Sequence, residues 1–318
     1  RFAKISIMTG FENTVYERAL DTHVQHALRH GYPIFIGRQS AINGIYNKIA
    51  YILNILLCEL YKTPENRVEW LFYFDADTIV MNPEIPLEIF EPPPDFAHIH
   101  FMVTRDHNGL NAGVFFIRVS EWSLRLLLRV LTHKHYHPEE KHRWEEQTVL
   151  AQLTETDEGF RYRSIYVPKA WFNPYFYNPR EVKPGLFMSH FPSKHRKWHM
   201  YRWLDLAAAP EQGASGSVRY RIPVSDTVYA KDIQRFWDLQ RRVAKVLEGF
   251  DKDISRKADP IHFGLQYDDT ATLATSYEKQ LERLRKAARQ KSDEMLVLER
   301  LINECQEVKC PFHSLVCW

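Results

Sequence analysis

The chain has 318 residues, of which 45% are hydrophobic, 14% aromatic and 26% charged, a composition that supplies a sizeable core and excludes disorder as the main state. Lys and Arg number 42 against 40 Asp and Glu, a net charge of +2, so no excess basic field exists to hold a nucleic acid or an anionic bilayer by charge alone. The longest apolar stretch, Ile49 to Tyr61, is interrupted by Asn54 and Glu59 and falls short of the roughly 20 residues that cross a hydrocarbon core. The chain enters a strand-like run directly after Arg1, with no charged leader or apolar signal segment, and an anchor before Arg1 is compatible with that start.

Phe2 to Met8 reads as a buried strand ending at Thr9-Gly10, Asn13 to Arg29 has helical spacing, and His30-Gly31-Tyr32-Pro33 stops it before a second strand at Ile34 to Ile36. Tyr46 to Tyr61 repeats apolar residues at helix spacing, and Trp70 to Phe74 is a strand buried on both faces, closed by Asp75-Ala76-Asp77. Pro-rich loops follow, then strands at Phe96 to Val103 and Gly113 to Val119 and helices at Trp122 to Leu131 and Glu145 to Leu153. Strands alternating with helices predict an α/β domain, a mixed and mostly parallel sheet flanked by helices, with ligands at the carboxyl ends of the strands. Asp75 and Asp77 sit at such an end.

The small-residue stretch 207–217 (AAAPEQGASGS) has no periodicity and reads as a linker, dividing a domain over 1–206 from a helical extension over 218–318. In the extension, Tyr229, Ile233, Phe236, Trp237, Val243 and Leu247 mark one amphipathic helix. Tyr277, Leu281, Leu284, Ala288, Met295, Leu298, Ile302 and Cys305 fall at heptad positions, interrupted by Lys291; this predicts a helix packed on its own protein or a self-association seam. Of the four cysteines, Cys58, Cys305, Cys310 and Cys317, the last three admit one C-terminal disulfide, and with His313 they form only a loosely spaced zinc set. His133, His135 and His137 alternate in a Lys- and Pro-containing stretch that reads as an exposed loop.

Two carboxylates at i and i+2 can turn to one site where a strand breaks into a loop, an arrangement suited to a hard divalent cation shared with phosphate oxygens. The bare triplet is common by chance, but here it closes the most apolar strand of the chain, where unpaired charge is costly. Four segments in order carry a resemblance: Trp70 to Thr78 (WLFYFDADT) with Asn82-Pro83, Leu110 to Arg118 (LNAGVFFIR) with Glu121-Trp122-Ser123, Trp144 to Gln147 (WEEQ), and His190-Phe191. Together with the opening KISIMTG and the His30-Gly31-Tyr32 step, they resemble the fungal and plant α-glycosyltransferases of glycosyltransferase family 34 over roughly residues 3 to 200.

The resemblance implies a GT-A fold and a Mn²⁺-dependent retaining transfer of a hexose from a nucleotide sugar to a glycan acceptor, with UDP-galactose the preferred donor and GDP-mannose the runner-up. It implies Asp75, Asp77 and His190 as metal ligands and Glu145, Glu146 and Gln147 facing the reacting carbon. Thr9, Lys48, Ala76, Asn111, Ala112, Gly113 and Lys194 are implied as donor contacts. The family's setting is the Golgi lumen, on an N-terminal anchor that this chain does not show. Plant members have a Gly-containing stretch after the histidine, where this chain reads Phe-Pro-Ser-Lys-His-Arg-Lys-Trp. Two other classes fit the aspartates. Phe74 to Thr78 resembles the nucleophile strand of haloacid-dehalogenase-type phosphatases, although a whole βαβ unit precedes it, and a degenerate transferase domain used as a binding module is the non-catalytic alternative.

Overall fold

The computed structural model describes residues 1–10, 13–141, 144–192, 197–208, 220–257 and 267–313, without the side chains of 250–257, 267–277 and 307–313. The chain divides into two compact units, Arg1–Lys231 and Asp232–Trp318.

The first unit opens with β1 (Phe2–Ile7), α1 (Thr14–His30), β2 (Ile34–Gly37), α2 (Asn47–Leu60) and β3 (Trp70–Phe74), two successive βαβ crossovers. Asn13 caps α1 by accepting from the Val15 N–H at 3.2 Å, and Gly31 ends it at φ 70°, a left-handed conformation that glycine adopts without a Cβ penalty. After β3 come β4 (Thr78–Val80), two short 3₁₀ turns, β5 (Phe101–Asp106), β6 (Gly109–Arg118), α3 (Glu121–Tyr136), α4 (Glu145–Thr156), α5 (Glu158–Arg161), β7 (Ser164–Tyr166), β8 (Met188–His190) and α6 (Lys197–Ala208). The six-stranded sheet has the order β2-β1-β3-β6-β5-β7. β1 pairs parallel with β2 and β3, and β5 pairs parallel with β7, while β6 runs antiparallel between β3 and β5.

Every residue of β3 is at most 1% exposed, because both faces of the sheet are covered. Leu71 and Tyr73 join α2, α3 and α4 in one core, whereas Phe72 packs on Phe116, Phe172 and Phe187 on the opposite face. Each such side chain contributes about 1.5–3 kcal/mol relative to leaving it in water. The expected strand at Phe96 to Val103 begins only at Phe101, since Pro93 and Pro94 open a 3₁₀ turn through Phe96. β4 and β8 form a separate antiparallel ribbon with Thr78 opposite His190.

Helix α6 continues through Ala208, and the rest of the expected linker, 209–217, lies outside the described residues together with 218–219. Residues 220–229 pack on the first unit: Asn82 Nδ2 donates to Ile222 O at 2.9 Å, and the Tyr229 ring meets Phe90. That is why the division falls at Lys231 rather than in the 207–217 stretch. The second unit holds α7 (Tyr229–Lys257) from Asp232 onward, α8 (Tyr267–Gln290) and α9 (Met295–His313). The heptad stripe does not run along one helix. It breaks after Gln290, and Leu281, Leu284, Leu298, Ile302 and Cys305 meet Leu239 and Val243 in the unit's own core. Cys305 is buried there with a free thiol; the side chains of Cys310, His313 and Cys317 lie outside the described residues.

Lys4 is fully buried on β1 with no carboxylate beside it. Its Nζ donates to His23 O at 3.3 Å and to His26 Nδ1 at 3.1 Å, and burial holds its pKa well below the ordinary lysine value. Between the lowered folded value and the unfolded lysine value the unfolded chain binds more protons, so there this group adds stability as pH rises and removes it as pH falls. We expect Lys4→Met to flatten the rise of thermal stability between pH 7 and 9 by up to about 1.4 kcal/mol per pH unit. Unfolding scans at the two pH values check this, and an unchanged slope would show that Lys4 titrates normally.

Candidate active site

Asp75 directly follows β3, and its N–H donates to Gly113 O at 2.8 Å. The β5–β6 ladder brings Gly113 there. Its register jumps from Val103↔Phe115 to Thr104↔Asn111, so Ala112, Gly113 and Val114 leave β5 and follow the end of β3 instead. A Cβ on Gly113 would stand 2.5 Å from His190 Cε1 and 3.0 Å from both Asp75 Oδ2 and Asn111 Oδ1. Only glycine leaves room for the three side chains to converge.

Asp75, Asp77 and His190 place one ligand atom each within 4.8 Å of one another. Asp77 Oδ1 is buried without a hydrogen-bond partner, and His190 Nε2 lies 3.3 Å from it. An orphaned buried carboxylate oxygen beside an imidazole nitrogen and a second carboxylate fits a divalent cation. The two oxygens favour a hard ion and the nitrogen favours a transition metal, so the donor set suits a divalent transition metal, Mn²⁺ among them. Burial raises the Asp75 pKa against the pull of the Lys48 ammonium, and Tyr73 OH donates to Asp75 Oδ1 at 2.6 Å.

The turn between the aspartates is held from below by α1. Thr78 Oγ1 donates to Asp75 O at 2.7 Å, so it accepts from His23 Nε2 at 2.9 Å, and the His23 ring stacks on Phe74 at 3.6 Å. The histidine is neutral: burial drives its pKa well below the ordinary value. On the far side Phe191 N donates to Asp77 O at 2.9 Å, continuing the ribbon that carries His190.

Lys48, on α2, donates from Nζ to Glu146 Oε1 at 2.7 Å and to Ala112 O at 3.2 Å. Burial opposes its charge, but Asp75 and Glu146 outweigh burial and raise its pKa. Glu146 is 1% exposed and engaged with this lysine, which makes it a counter-ion in the floor of the site. Gln147 Oε1 accepts from Ala112 N at 2.9 Å, leaving Nε2 as the other polar atom of a side chain that lines the cleft. Glu145 opens α4 at φ 36°, the one left-handed non-glycine residue among those described, and backbone strain of this kind collects at functional sites.

These residues line a cleft of about 740 Å³. Lys48, Asp75, Asp77, Asn111, Gly113, Glu145, Glu146, Gln147 and His190, all expected from the sequence, are among its walls. Ala112 is buried and acts through its backbone, Ala76 lies between the aspartates, and Thr9 is exposed beyond β1; none of the three lines the cleft. Lys194 lies outside the described residues. The structure adds Asp106, Trp144, Tyr175 and Tyr177 to the walls, and behind them Asn173, fully buried. The aromatic and Asn-rich run Trp171 to Tyr177, which has no helical or strand period, is the signal that could have found the last three.

A second donor group, His137 with Glu139 and Glu140 after α3, is accounted for by His–carboxylate pairing: His137 Nδ1 lies 3.5 Å from Glu140 Oε1, and His133 Nε2 lies 3.1 Å from Glu140 Oε2.

The carboxyl edge of the sheet thus holds the paired aspartates, and with His190 from the β4–β8 ribbon they line a cleft suited to a ligand that shares a divalent cation. Residues 94–205, about a third of the chain, match the galactosyl transferase GMA12/MNN10 family, in agreement with the resemblance to glycosyltransferase family 34. The chain is 26% identical over 187 residues to the probable alpha-1,6-mannosyltransferase MNN10 of Saccharomyces cerevisiae strain S288c; the match covers 49% of this chain and about half, 47%, of that protein. The fold is that of a glycosyltransferase involved in the glycosylation of the major capsid of PBCV-1, with a TM-score of 0.50 at 18% identity over 63% of this chain and 98% of that one. The phosphatase alternative is disfavoured, since a whole βαβ unit and a further helix precede β3 and the family match is to transferases.

Breaking the buried ion pair from one side leaves a charge without its partner, at a cost of about 3–5 kcal/mol. Lys48→Met should therefore lower thermal stability sharply, and adding Glu146→Leu should restore most of it without restoring turnover. Calorimetry with a turnover assay checks the cycle. Gly113→Ala should cost about 10²-fold in turnover, the penalty of misplacing reacting groups by about 1 Å, and steady-state kinetics would expose a tolerated alanine.

Proposed function

We propose that the chain transfers a hexose from a nucleotide sugar to a glycan acceptor with retention of anomeric configuration, aided by Mn²⁺. The observation that carries this is the convergence of Asp75, Asp77 and His190 around Gly113, with Asp77 Oδ1 left without a hydrogen bond. Asp75, Asp77 and His190 would hold the cation, which when bound supplies positive charge to a departing diphosphate. Lys48 is a fixed cation beside Asp75, and its contacts to Glu146 and Ala112 hold it against the floor of the cleft.

Gln147 is an amide and a poor nucleophile, which favours front-face attack: the acceptor oxygen bonds to the anomeric carbon as the diphosphate leaves, and the acceptor proton goes to the departing phosphate oxygen. Gln147, tied to Ala112, would orient and stabilise without forming a covalent intermediate. Glu146 is unsuited to nucleophilic attack because it is engaged with Lys48, so the two-step competitor rests on Glu145.

The sequence alone favoured galactose. The MNN10 match moves the preference to mannose from GDP-mannose, with UDP-galactose as the second reading. A Golgi-luminal setting, implied by the family resemblance, belongs to the same proposal; among the described residues no helix is long and apolar enough to cross a membrane.

Hydrolysis of GDP-mannose, UDP-galactose, UDP-glucose and UDP-xylose by the purified chain, each with Mn²⁺ or EDTA, tests the proposal. Turnover of one donor is expected, abolished by EDTA and by Asp77→Ala. Silence with every donor would favour a binding module, and hydrolysis of a generic phosphomonoester would return the site to the phosphatase class.

A further inference from the structure

The polar network behind His190 can be solved atom by atom from its two ends. Gly113 N donates to Asn111 Oδ1 at 3.0 Å, and a backbone N–H can only donate. Asn111 Nδ2 lies 2.9 Å from Asp106 Oδ2, a carboxylate oxygen that accepts. Both ends impose one orientation on the Asn111 amide. Its oxygen then lies 2.9 Å from Asn173 Nδ2, which also donates to Thr104 Oγ1 at 2.8 Å. The opposite orientation of Asn173 would press two amide oxygens together. Asn173 Oδ1 is thus the atom 2.7 Å from His190 Nδ1, and an amide oxygen only accepts, so the ring proton sits on Nδ1.

We infer that Asn173 is a positioning residue of the metal site, fixing His190 as its Nδ1–H tautomer so that Nε2 presents a lone pair beside Asp77. Asn173 is 0% and His190 3% exposed, so the bond between them is shielded from competing water. Asp77 Oδ1, 3.3 Å from Nε2, accepts no hydrogen bond, as two lone pairs facing a common cation position require. The register jump that delivers Gly113 also places Thr104 opposite Asn111, so one irregularity in β5–β6 supplies both acceptors of the Asn173 amide. The inference rests on the proposed reading of the triad as a metal site, but the tautomer itself is a property of the metal-free chain.

The test uses the full metal-free chain with ¹⁵N-labelled histidine, at a pH above the ordinary histidine range, with the His190 ring signals identified by their loss in His190→Gln. The expected wild-type result is a protonated Nδ1; a protonated Nε2 would overturn the inference whether or not a metal binds. In Asn173→Leu the tautomers should mix, and Mn²⁺ affinity measured by electron paramagnetic resonance should fall about 10–100-fold, while Thr104→Val, which removes only the other acceptor, should stay within about twofold. Equal losses in the two variants would show a purely structural role and overturn it. Should Asn173→Leu fail to fold, the wild-type tautomer decides alone. Should the wild type bind no Mn²⁺, the metal reading fails and the tautomer still decides the role of Asn173.

Discussion

Carboxylates at the end of a strand with no exposed side chain need opposite charge close at hand, and much of the first unit is arranged around that need. Burial favours a protonated Asp75, and the Lys48 ammonium pulls the other way. Lys48 in turn is tolerated in the floor because Glu146 pairs with it. The result is a set of alternating charges, Glu146, Lys48 and Asp75, that ends where a bound divalent cation would continue it. Such a chain stabilises itself only while every member is present, which distinguishes it from surface pairs such as Arg18 with Asp205.

Steric constraint works alongside charge. At Gly113 imidazole and carboxylate approach the backbone within contact distance, and the β6 backbone reaches this point by leaving β5 for the end of β3. The neutral His23 on α1 supports the turn from beneath, so the loop that carries both aspartates is tied to α1, β6 and the β4–β8 ribbon at once. Rigidity of this sort comes from neighbours rather than from the loop's own residues.

Much of this was legible in the sequence. The βαβ opening, the buried strand and its aspartates follow from apolar runs, a capping Asn and a Gly stop, which are local signals. Glu145 to Gln147 and His190 were placed by the family pattern, and the structure brings them to one cleft. What escaped was set by long-range geometry. Asn173 and Tyr175 lie in a stretch without period, and their roles arise from partners on β5 and β6 distant in sequence. Asp106 has no local sequence signal of its role, which comes from Tyr175 OH and Asn111 Nδ2 converging on it. Glu146 was expected to face the reacting carbon, and the sequence could not show Lys48 beside it. In the C-terminal unit the heptad spacing was right, but the turn at residues 291–294, where Lys291 bonds Glu294, folds one apparent stripe into two facing helices.

The ribbon of β4 and β8 has a consequence for how the enzyme comes into being. Its strands are three residues each and lie far apart along the chain; β4 begins directly after Asp77, and β8 carries His190 to the aspartates. Because side chains alternate along a strand, a slip of one residue against Thr78 would turn His190 away from the aspartates while leaving the six-stranded sheet intact. During synthesis β1 to β3 can assemble well before residue 190 emerges, so the nascent domain passes through a stage that has both aspartates but no imidazole. Competence is thus gained late, through closure of a long loop that pairs β8 with β4.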